Sequence, residues 1–152
     1  MQGRPVRTRR KFSVPLTLEC DVTLEQMPDR GGGFSVIIFP PGPEADIDPE
    51  RSQRLTLGFE DPKGEPLDTT PSINQYEGAP RGQTIWKGGS FPLKPGELYR
   101  LRLDISATGW RIAINDHTYE TRDAPVPYDE VMIELWNWQP STRWRVRNFR
   151  AD

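Results

Sequence analysis

The chain has 152 residues, a formal net charge of -2 and 28% charged residues, which suits one domain with one sizeable core. This balance of charge favours neither nucleic acid nor an anionic membrane as a partner. No run of about 18 apolar residues is present, so no membrane span is expected. The basic start, MQGRPVRTRRKF, leads into no apolar segment and predicts no secretory leader. A domain excised from a longer protein and a cytoplasmic protein would both have these features.

The chain has one cysteine, Cys20, and one histidine, His117. One cysteine cannot form an intrachain disulfide, and the two residues together cannot build a Cys/His zinc site. His117 lies in INDHTY, a predicted hairpin, and is interpreted as a turn residue rather than a buried general base. These counts argue against the usual histidine-dependent and cysteine-dependent catalytic sites.

The first half of the chain predicts strands, because apolar and polar residues alternate with period two. LTLECDVTLE has an apolar face running from Leu16 to Leu24 and a polar face that includes Glu19, Asp21 and Glu25. GFSVIIFPP is apolar throughout and predicts a strand covered on both faces. RLTLGFED and the shorter QTIWKGG predict two more strands. The proline-rich segments 40–54 and 61–82 predict surface loops.

The second half predicts a three-stranded antiparallel unit, LYRLRLDISATGWRIAINDHTYETR, followed by the strands VMIELWNW and RWRVRNF. Tight turns are expected at ATG and ND, since Asn and Asp tolerate positive φ. Trp110 and Trp144 are in phase with core residues, whereas Phe149 breaks the parity of Val146 and predicts a β-bulge. About eight to ten short strands in a single domain, residues 1–152, indicate an all-β, two-sheet antiparallel β-sandwich of the jelly-roll type.

The strand VMIELWNW carries the main candidate for function. Its aliphatic residues at 131, 133 and 135 predict the core face, so Met132, Glu134, Trp136 and Trp138 share the outer face. One interpretation is an exposed aromatic platform with a polar handle, and the other is an outer face that loops cover. Trp86 is out of phase with Ile85 and is a candidate third member of the platform.

These strands resemble the concanavalin A-like lectin and glucanase superfamily, whose jelly rolls include laminin-G-like and galectin-like domains. The resemblance is best over residues 83–150, from GGSFPLKPGELYRLRLDISATGWRIAINDHTYETR to WRVRNFRAD, which is similar to a final strand returning beside the first. It implies a jelly-roll fold and an extracytoplasmic location. Fold alone does not give function, so the ligand has to be argued from residues.

The family's functional residues do not carry over as a set. Galectins place His, Asn and Arg at alternate positions on one strand, and the corresponding stretch here is taken as FSVIIFPPG, which has none of them. Galectins also use Trp followed after two residues by Glu or Gln, whereas Trp86 is followed by Lys87, Gly88 and Gly89. Galactoside binding of the galectin kind is therefore not expected.

The glucanases of the superfamily carry Glu-x-Asp-x-Glu, and this chain offers ECDVTLE. Glu19 and Glu25 lie about 20 Å apart at ~3.3 Å per residue. Paired catalytic carboxyl groups are about 5 Å apart in retaining glycosidases and about 6.5–9.5 Å apart in inverting ones. Glu19 and Glu25 thus cannot flank one glycosidic bond, and the motif is incomplete.

The sequence has two further charged features, alternating basic residues near both ends and two acidic stretches. Arg7, Arg9 and Lys11 alternate near the start and Arg143, Arg145 and Arg147 near the end, and these strands are expected to be neighbours whose charge the carboxylates of Glu19, Asp21 and Glu25 offset. The alternating basic residues form either solvated ion pairs or a site for an acidic glycan or protein. The acidic stretches EADIDPE and EDPKGE keep calcium open as a cofactor, although neither has an ordered ligand spacing. No other cofactor is expected.

The residues favour a noncatalytic carbohydrate-binding module with a poly- or oligosaccharide as its partner. Two alternatives stay open: a structural or protein-interaction domain that contacts neighbouring domains of a larger enzyme, and a glycoside hydrolase relative. Indole rings would stack on sugar rings, and neighbouring polar groups would bind hydroxyls. The predicted ligand-binding residues are Trp86, Arg102, Glu134, Trp136, Asn137 and Trp138.

Overall fold

The computed structural model describes residues 5–26, 30–42, 51–60, 66–77, 82–122, 124–137 and 142–152. These residues form β-strands joined by turns, and no helix among them has the length or apolar character needed to cross a membrane. The thirteen strands, in chain order, are β1 (Val6–Arg7), β2 (Phe12–Ser13), β3 (Leu16–Leu24), β4 (Gly32–Phe39), β5 (Arg51–Phe59), β6 (Leu67–Glu77), β7 (Gln83–Lys87), β8 (Phe91–Leu93), β9 (Leu98–Ser106), β10 (Gly109–Ile114), β11 (His117–Glu120), β12 (Glu130–Asn137) and β13 (Trp144–Ala151).

The strands form two antiparallel sheets. The eight-stranded sheet has the order β1-β12-β4-β5-β6-β7, with β2 also paired to β12 and β8 also paired to β6. The five-stranded sheet has the order β11-β10-β9-β3-β13. The alternating apolar residues of both sheets face each other and form one buried core, as the period-two pattern predicts. The predicted two-sheet β-sandwich is therefore confirmed.

A polar network lies within this core around Gln53, which is fully buried. The Trp110 Nε1–H donates to Gln53 Oε1 at 2.8 Å, and Gln53 Nε2 donates to Gln75 Oε1 at 2.8 Å and to the Pro125 carbonyl at 2.6 Å. Buried amides are tolerated only when their donors and acceptors are satisfied, and these contacts meet that need. Trp110 is thus a core residue, as predicted, with its one polar atom bonded across the sandwich.

The bulge predicted from Phe149 is confirmed in β13. The register with β3 shifts between Arg147 and Arg150, and Asn148 has a φ of 54°. The extra residue returns Phe149 to the core side, where it packs against the buried cluster together with Trp144 and Val146. The second predicted turn is also confirmed, since Asn115 has a φ of 51°.

Two predictions about the strands are wrong. Segment 61–82 was predicted as a loop, but β6 occupies Leu67–Glu77 and buries Leu67, Thr69, Pro71 and Ile73. The Pro71 carbonyl oxygen accepts a hydrogen bond from the Gly88 N–H, on the side of β6 that faces β7 and β8. In an antiparallel strand the nitrogen of a residue points to the same side as its carbonyl oxygen. The N–H that proline lacks would therefore not have bonded to β5, so Pro71 is tolerated there. The count of strands is accordingly thirteen in the described residues rather than eight to ten.

The two strands that carry the arginines are not neighbours, contrary to expectation, although the last strand does lie beside LTLECDVTL. β1 pairs with β12 in the eight-stranded sheet, whereas β13 pairs with β3 in the five-stranded sheet. The chain crosses from one sheet to the other between β2 and β3, so the two arginine-bearing strands belong to different sheets. The expected offsetting by carboxylates holds for the last strand, where Arg145 Nε lies 2.6 Å from Glu25 Oε1.

Candidate functional site

The outer face of the eight-stranded sheet is the side that turns away from the five-stranded sheet. Strand pairing sets its side chains in cross-strand rows, because directly opposed residues in antiparallel strands point to the same side. The first row contains Arg7, Glu134, Ile37, Arg54, Asn74 and Thr84. The second row contains Trp136, Ser35, Thr56, Ser72 and Lys87. Both rows run from β12 across to β7.

The part of this outer face around Glu134, Ile37 and Phe39 is closed. Glu134 is only 3% exposed, and its Oε2 accepts from Arg7 Nε at 2.9 Å and Nη2 at 2.7 Å. The Arg7 guanidinium also lies 5.0 Å from the centroid of the Phe39 ring, and Ile37 and Phe39 are buried. Glu134 therefore has the predicted orientation but not the predicted accessibility, because Arg7 lies over it and neutralises its charge.

Trp136 lies at the border of this closed part and is half-buried. It occupies the outer face, as its parity with Glu134 predicts, directly opposite Ser35 of β4. Its predicted partner Trp138 lies outside the described residues. Asn137 faces the other side, as predicted, and its amide Nδ2 donates to the Thr142 carbonyl oxygen. That bond commits the Asn137 amide to the protein rather than to a ligand on the outer face.

Trp86 does not join the outer face, which corrects the prediction. Trp86 is opposite Ile73, packs against the core, and makes an edge contact with Tyr119 at a centroid distance of 5.8 Å. The register between β6 and β7 shifts between Ile73 and Asn74, and the extra residue on β7 is Ile85. The parity argument from Ile85 fails because this bulge allows two successive side chains to pack inward.

Arg102 lies on the opposite side of the molecule from Trp136, which corrects a second prediction. It belongs to β9 of the five-stranded sheet, and its guanidinium is 3.2 Å from Glu19 and 3.5 Å from Asp104. Strand parity gives a side chain's direction but not the sheet to which its strand belongs. Arg102 and the tryptophans therefore cannot act on the same bound ring.

The part of the outer face on β5, β6 and β7 is open and polar, and we call it the open strip. Its residues Arg54, Thr56, Ser72, Asn74 and Thr84 are all at least partly exposed. Thr84 Oγ1 donates to Asn74 Oδ1 at 2.7 Å, and Thr56 Oγ1 is 2.9 Å from Ser35 Oγ. The strip thus combines hydroxyl, amide and guanidinium groups on rigid strands.

The open strip also holds an aromatic ring in a fixed position. The Arg54 guanidinium carbon lies 4.0 Å from the centroid of the Tyr76 ring, and Arg54 Nε donates to Ser52 Oγ at 3.3 Å. Gly82 lies against the Tyr76 ring so closely that a Cβ there would come within 2.5 Å of its Cζ. The Tyr76 ring thus contacts both Gly82 and Arg54, and the cation–π contact orients the Arg54 guanidinium.

Sequence reasoning missed the open strip because it treated 61–82 as a loop. The signal was present in SQRLTLG and PSINQY, where polar residues alternate with Leu55, Leu57 and Ile73. Proline at 71 obscured it. No residue of the open strip was among the predicted ligand-binding residues.

The groups most often used for metal binding or covalent catalysis give no alternative site among the described residues. No three carboxylate, histidine or cysteine side chains cluster there to hold a metal ion. The acidic stretch 44–50 and most of EDPKGE lie outside the described residues, so calcium stays a prediction. Burial, assisted by the nearby Asp21 charge, raises the pKa of Cys20 to about 12, so its thiol stays protonated at neutral pH. His117 is exposed beside its turn, as predicted.

No protein-family model and no curated protein sequence matches the chain. Several solved structures match nearly the whole of this chain at low identity. The carbohydrate-binding module CBM66 from Bacillus subtilis has a TM-score of 0.67 at 17% identity, over 97% of this chain and 80% of that one. Lactose- and MES-liganded congerin II has a TM-score of 0.65 at 15% identity, over 98% of both chains.

A third similar structure is CG-16, a homodimeric agglutinin from chicken liver, with a TM-score of 0.63 at 13% identity over 98% of this chain and 100% of that one. Identities this low carry information about the fold and not about the ligand. The two sheets, their strand order and these neighbours agree on one architecture. The chain has the two-sheet jelly-roll fold of these three structures.

Proposed function

We propose that this protein is a noncatalytic carbohydrate-binding module whose ligand lies on the open strip of the eight-stranded sheet. The observation that carries the proposal is the row of partly exposed Arg54, Asn74 and Thr84 on three adjacent strands. Neighbouring strands are about 4.8 Å apart, so these groups are spaced to meet successive hydroxyls of a sugar ring or of two linked rings. Their side chains offer both donors and acceptors, which sugar hydroxyls require.

The Arg54–Tyr76 contact supports the same proposal. A saccharide site benefits from polar groups that are already oriented, since ordering a long side chain on binding costs conformational free energy. The contacts with the Tyr76 ring and with Ser52 Oγ hold Arg54 in place before any ligand arrives. Arg54 would donate to ring hydroxyls or to the ring oxygen.

Trp136 supplies the apolar part of the proposed site. It lies in the same cross-strand row as Thr56, two strands away, which corresponds to about 10 Å. A saccharide chain that runs along this row from the strip toward β12 would bring a ring over the indole. This retains one residue of the predicted aromatic platform and assigns no ligand contact to Glu134, Trp86 or Arg102.

The similar structures support a carbohydrate ligand by analogy of fold. One is named as a carbohydrate-binding module, and another is congerin II with lactose bound. The sugar cannot be carried over from them, because the identities are 17% and 15%. The proposal concerns saccharides as a class.

A glycan array probed with wild type and three variants tests this function. Arg54→Gln and Trp136→Ala should each lose binding to the saccharides that wild type recognises. Arg51→Gln is the matched control, because Arg51 is on the same strand and pairs with Glu77 at 3.1 Å, away from the open strip. Undiminished binding by Arg54→Gln, with Arg51→Gln also unchanged, would exclude the open strip as the site.

A further inference from the structure

The outer face of the five-stranded sheet carries two matching rows of charge. Asp21 of β3 lies between Arg100 of β9 and Arg147 of β13, and Glu19 lies between Arg102 and Arg150 in the next row. Arginines therefore outnumber carboxylates by four to two in these two rows, on a chain whose overall formal charge is -2. This sheet face is the side of the molecule opposite the open strip.

A pocket opens between these two rows, with a volume of about 510 Å³. That volume lies within the range of about 300–1,000 Å³ that is usual for small-ligand sites. Its lining consists of Glu19, Cys20, Asp21, Arg100, Asn148 and Arg150. The pocket is thus built from three strands and from the bulge of β13.

The floor of the pocket is ordered before any ligand binds. Asp21 is 7% exposed, and its Oδ2 accepts from Asn148 Nδ2 at 2.8 Å while its Oδ1 accepts from Arg100 Nε at 3.3 Å. Asn148 reaches this position because the bulge gives it a φ of 54°. The bulge therefore turns an amide toward the Asp21 carboxylate beside the pocket.

The rim of the pocket consists of two arginines that each pair with a carboxylate and are still largely exposed. The Arg100 side chain is 76% exposed and, among the described residues, its guanidinium contacts a carboxylate through Nε alone. The Arg150 side chain is 79% exposed and reaches Glu19 through Nη2 at 3.4 Å. Such guanidinium groups retain N–H donors that can bind a carboxylate or sulfate bidentately.

We propose that this pocket is a second ligand site, distinct from the open strip, and that it binds an anionic saccharide. The ring hydroxyls would lie against Asp21 and Asn148, and the anionic group would lie between Arg100 and Arg150. A carboxylate floor suits hydroxyl donors and disfavours a bare inorganic anion, whereas the rim suits a carboxylate or sulfate. A uronic acid and a sulfated sugar share this chemistry.

Calorimetric titration of the whole chain with three trisaccharides tests the proposal: a galacturonic acid trisaccharide, a sulfated galactose trisaccharide and the neutral galactose trisaccharide. At least one acidic probe should bind at low salt and weaken as ionic strength rises, while the neutral probe should not enter this pocket. The double variant Arg100→Gln/Arg150→Gln should weaken binding about tenfold or more. Arg111→Gln is the matched control, because Arg111 lies on the same sheet and pairs with Glu120 at 3.6 Å outside the pocket.

A second variant keeps the test independent of the charge change. Asn148→Gly retains the positive φ that the bulge requires but removes the amide, so it should weaken the acidic probe while two-dimensional NMR spectra stay folded. Binding of acidic and neutral probes with equal affinity, absence of binding by both acidic probes, or unchanged affinity in the double variant would each overturn the proposal. None of these outcomes bears on the open strip, which Arg54→Gln tests separately.

Discussion

The guanidinium carbon of Arg54 lies 4.0 Å from the centroid of the Tyr76 ring, on the outer face of the eight-stranded sheet. A cation at this distance over an aromatic face is attracted by the ring quadrupole, and partly buried pairs of this kind contribute about 1 kcal/mol. The contact joins β5 to β6 at one end of the open strip. It fixes the cationic group on which the proposed saccharide site depends.

Replacing Tyr76 should therefore affect binding more than stability. Tyr76→Leu removes the ring that holds Arg54, and we expect saccharide affinity to fall about threefold to tenfold, equivalent to ~1 kcal/mol. Tyr76→Phe keeps the ring and should retain the affinity. Calorimetric titration of both variants with a saccharide identified on the array measures the difference. Equal affinity of the Leu and Phe variants would show that the ring has no positioning role.

Replacing Glu134 should affect stability more than saccharide binding. Glu134→Gln leaves the largely buried Arg7 guanidinium without its carboxylate, and we expect the free energy of unfolding to fall by about 2 kcal/mol. The Arg7→Met/Glu134→Leu double variant should recover much of that loss, because it removes both charges together. Urea denaturation measures both changes. If Glu134→Gln lost saccharide affinity at unchanged stability, Glu134 would instead be a ligand contact.

The ionisation of Asp21 should make stability depend on pH. The Asn148 hydrogen bond, opposed by partial desolvation and assisted by Arg100, lowers the pKa of Asp21 below its usual 3.8 in the folded chain. A lowered folded-state pKa means that the stabilisation is fully present above the unfolded-state pKa and is lost as pH falls through the folded-state pKa. The stability difference between wild type and Asp21→Asn should therefore shrink below about pH 4.

Urea denaturation from pH 7 down to pH 2 follows this difference. Asn148→Gly should raise the Asp21 pKa toward its usual value, since it removes the largest cause of the shift. Glu130→Gln serves as the comparison, because it also removes one carboxylate and Glu130 is exposed at the start of β12. If the free energies of unfolding of wild type and Asp21→Asn changed with pH in parallel, the lowered pKa of Asp21 would be contradicted.

The Cys20 thiol should be unreactive in the folded protein. Its side chain is 2% exposed, and burial with the neighbouring Asp21 charge raises the pKa of the thiol to about 12. The thiolate is the reactive form, so a disulfide exchange reagent at pH 8 should label the thiol only after unfolding. Colorimetric thiol titration with and without denaturant measures this. Rapid stoichiometric labelling of the native chain would contradict the described burial.

The sequence predicted those parts of the structure that follow from local alternation. Leu16 to Leu24 and Tyr99 to Ile105 alternate without interruption, and both strands have the predicted buried faces. Phe149 could be assigned to a bulge because the parity change lies between residues of one short strand. Such patterns need no knowledge of which strand lies next to which.

The candidate site was harder to predict because it depends on pairing between distant strands. Arg7 covers Glu134 although 127 positions separate them, and nothing in either local sequence indicates that contact. The bulge at Ile85 reversed the expected direction of Trp86, and Pro71 concealed the strand that carries Asn74 and Tyr76. Parity gave the direction of Trp136 correctly but could not indicate that its neighbours are buried.

An NMR titration of the whole chain with a panel of neutral gluco-, galacto-, manno- and xylo-oligosaccharides tests most directly whether the open strip binds saccharide. A saccharide that binds should shift the resonances of Arg54, Thr56, Asn74 and Thr84 most, together with the Trp136 indole N–H. A panel in which no saccharide shifts these resonances, or in which the largest changes lie on the five-stranded sheet, would contradict binding at the open strip.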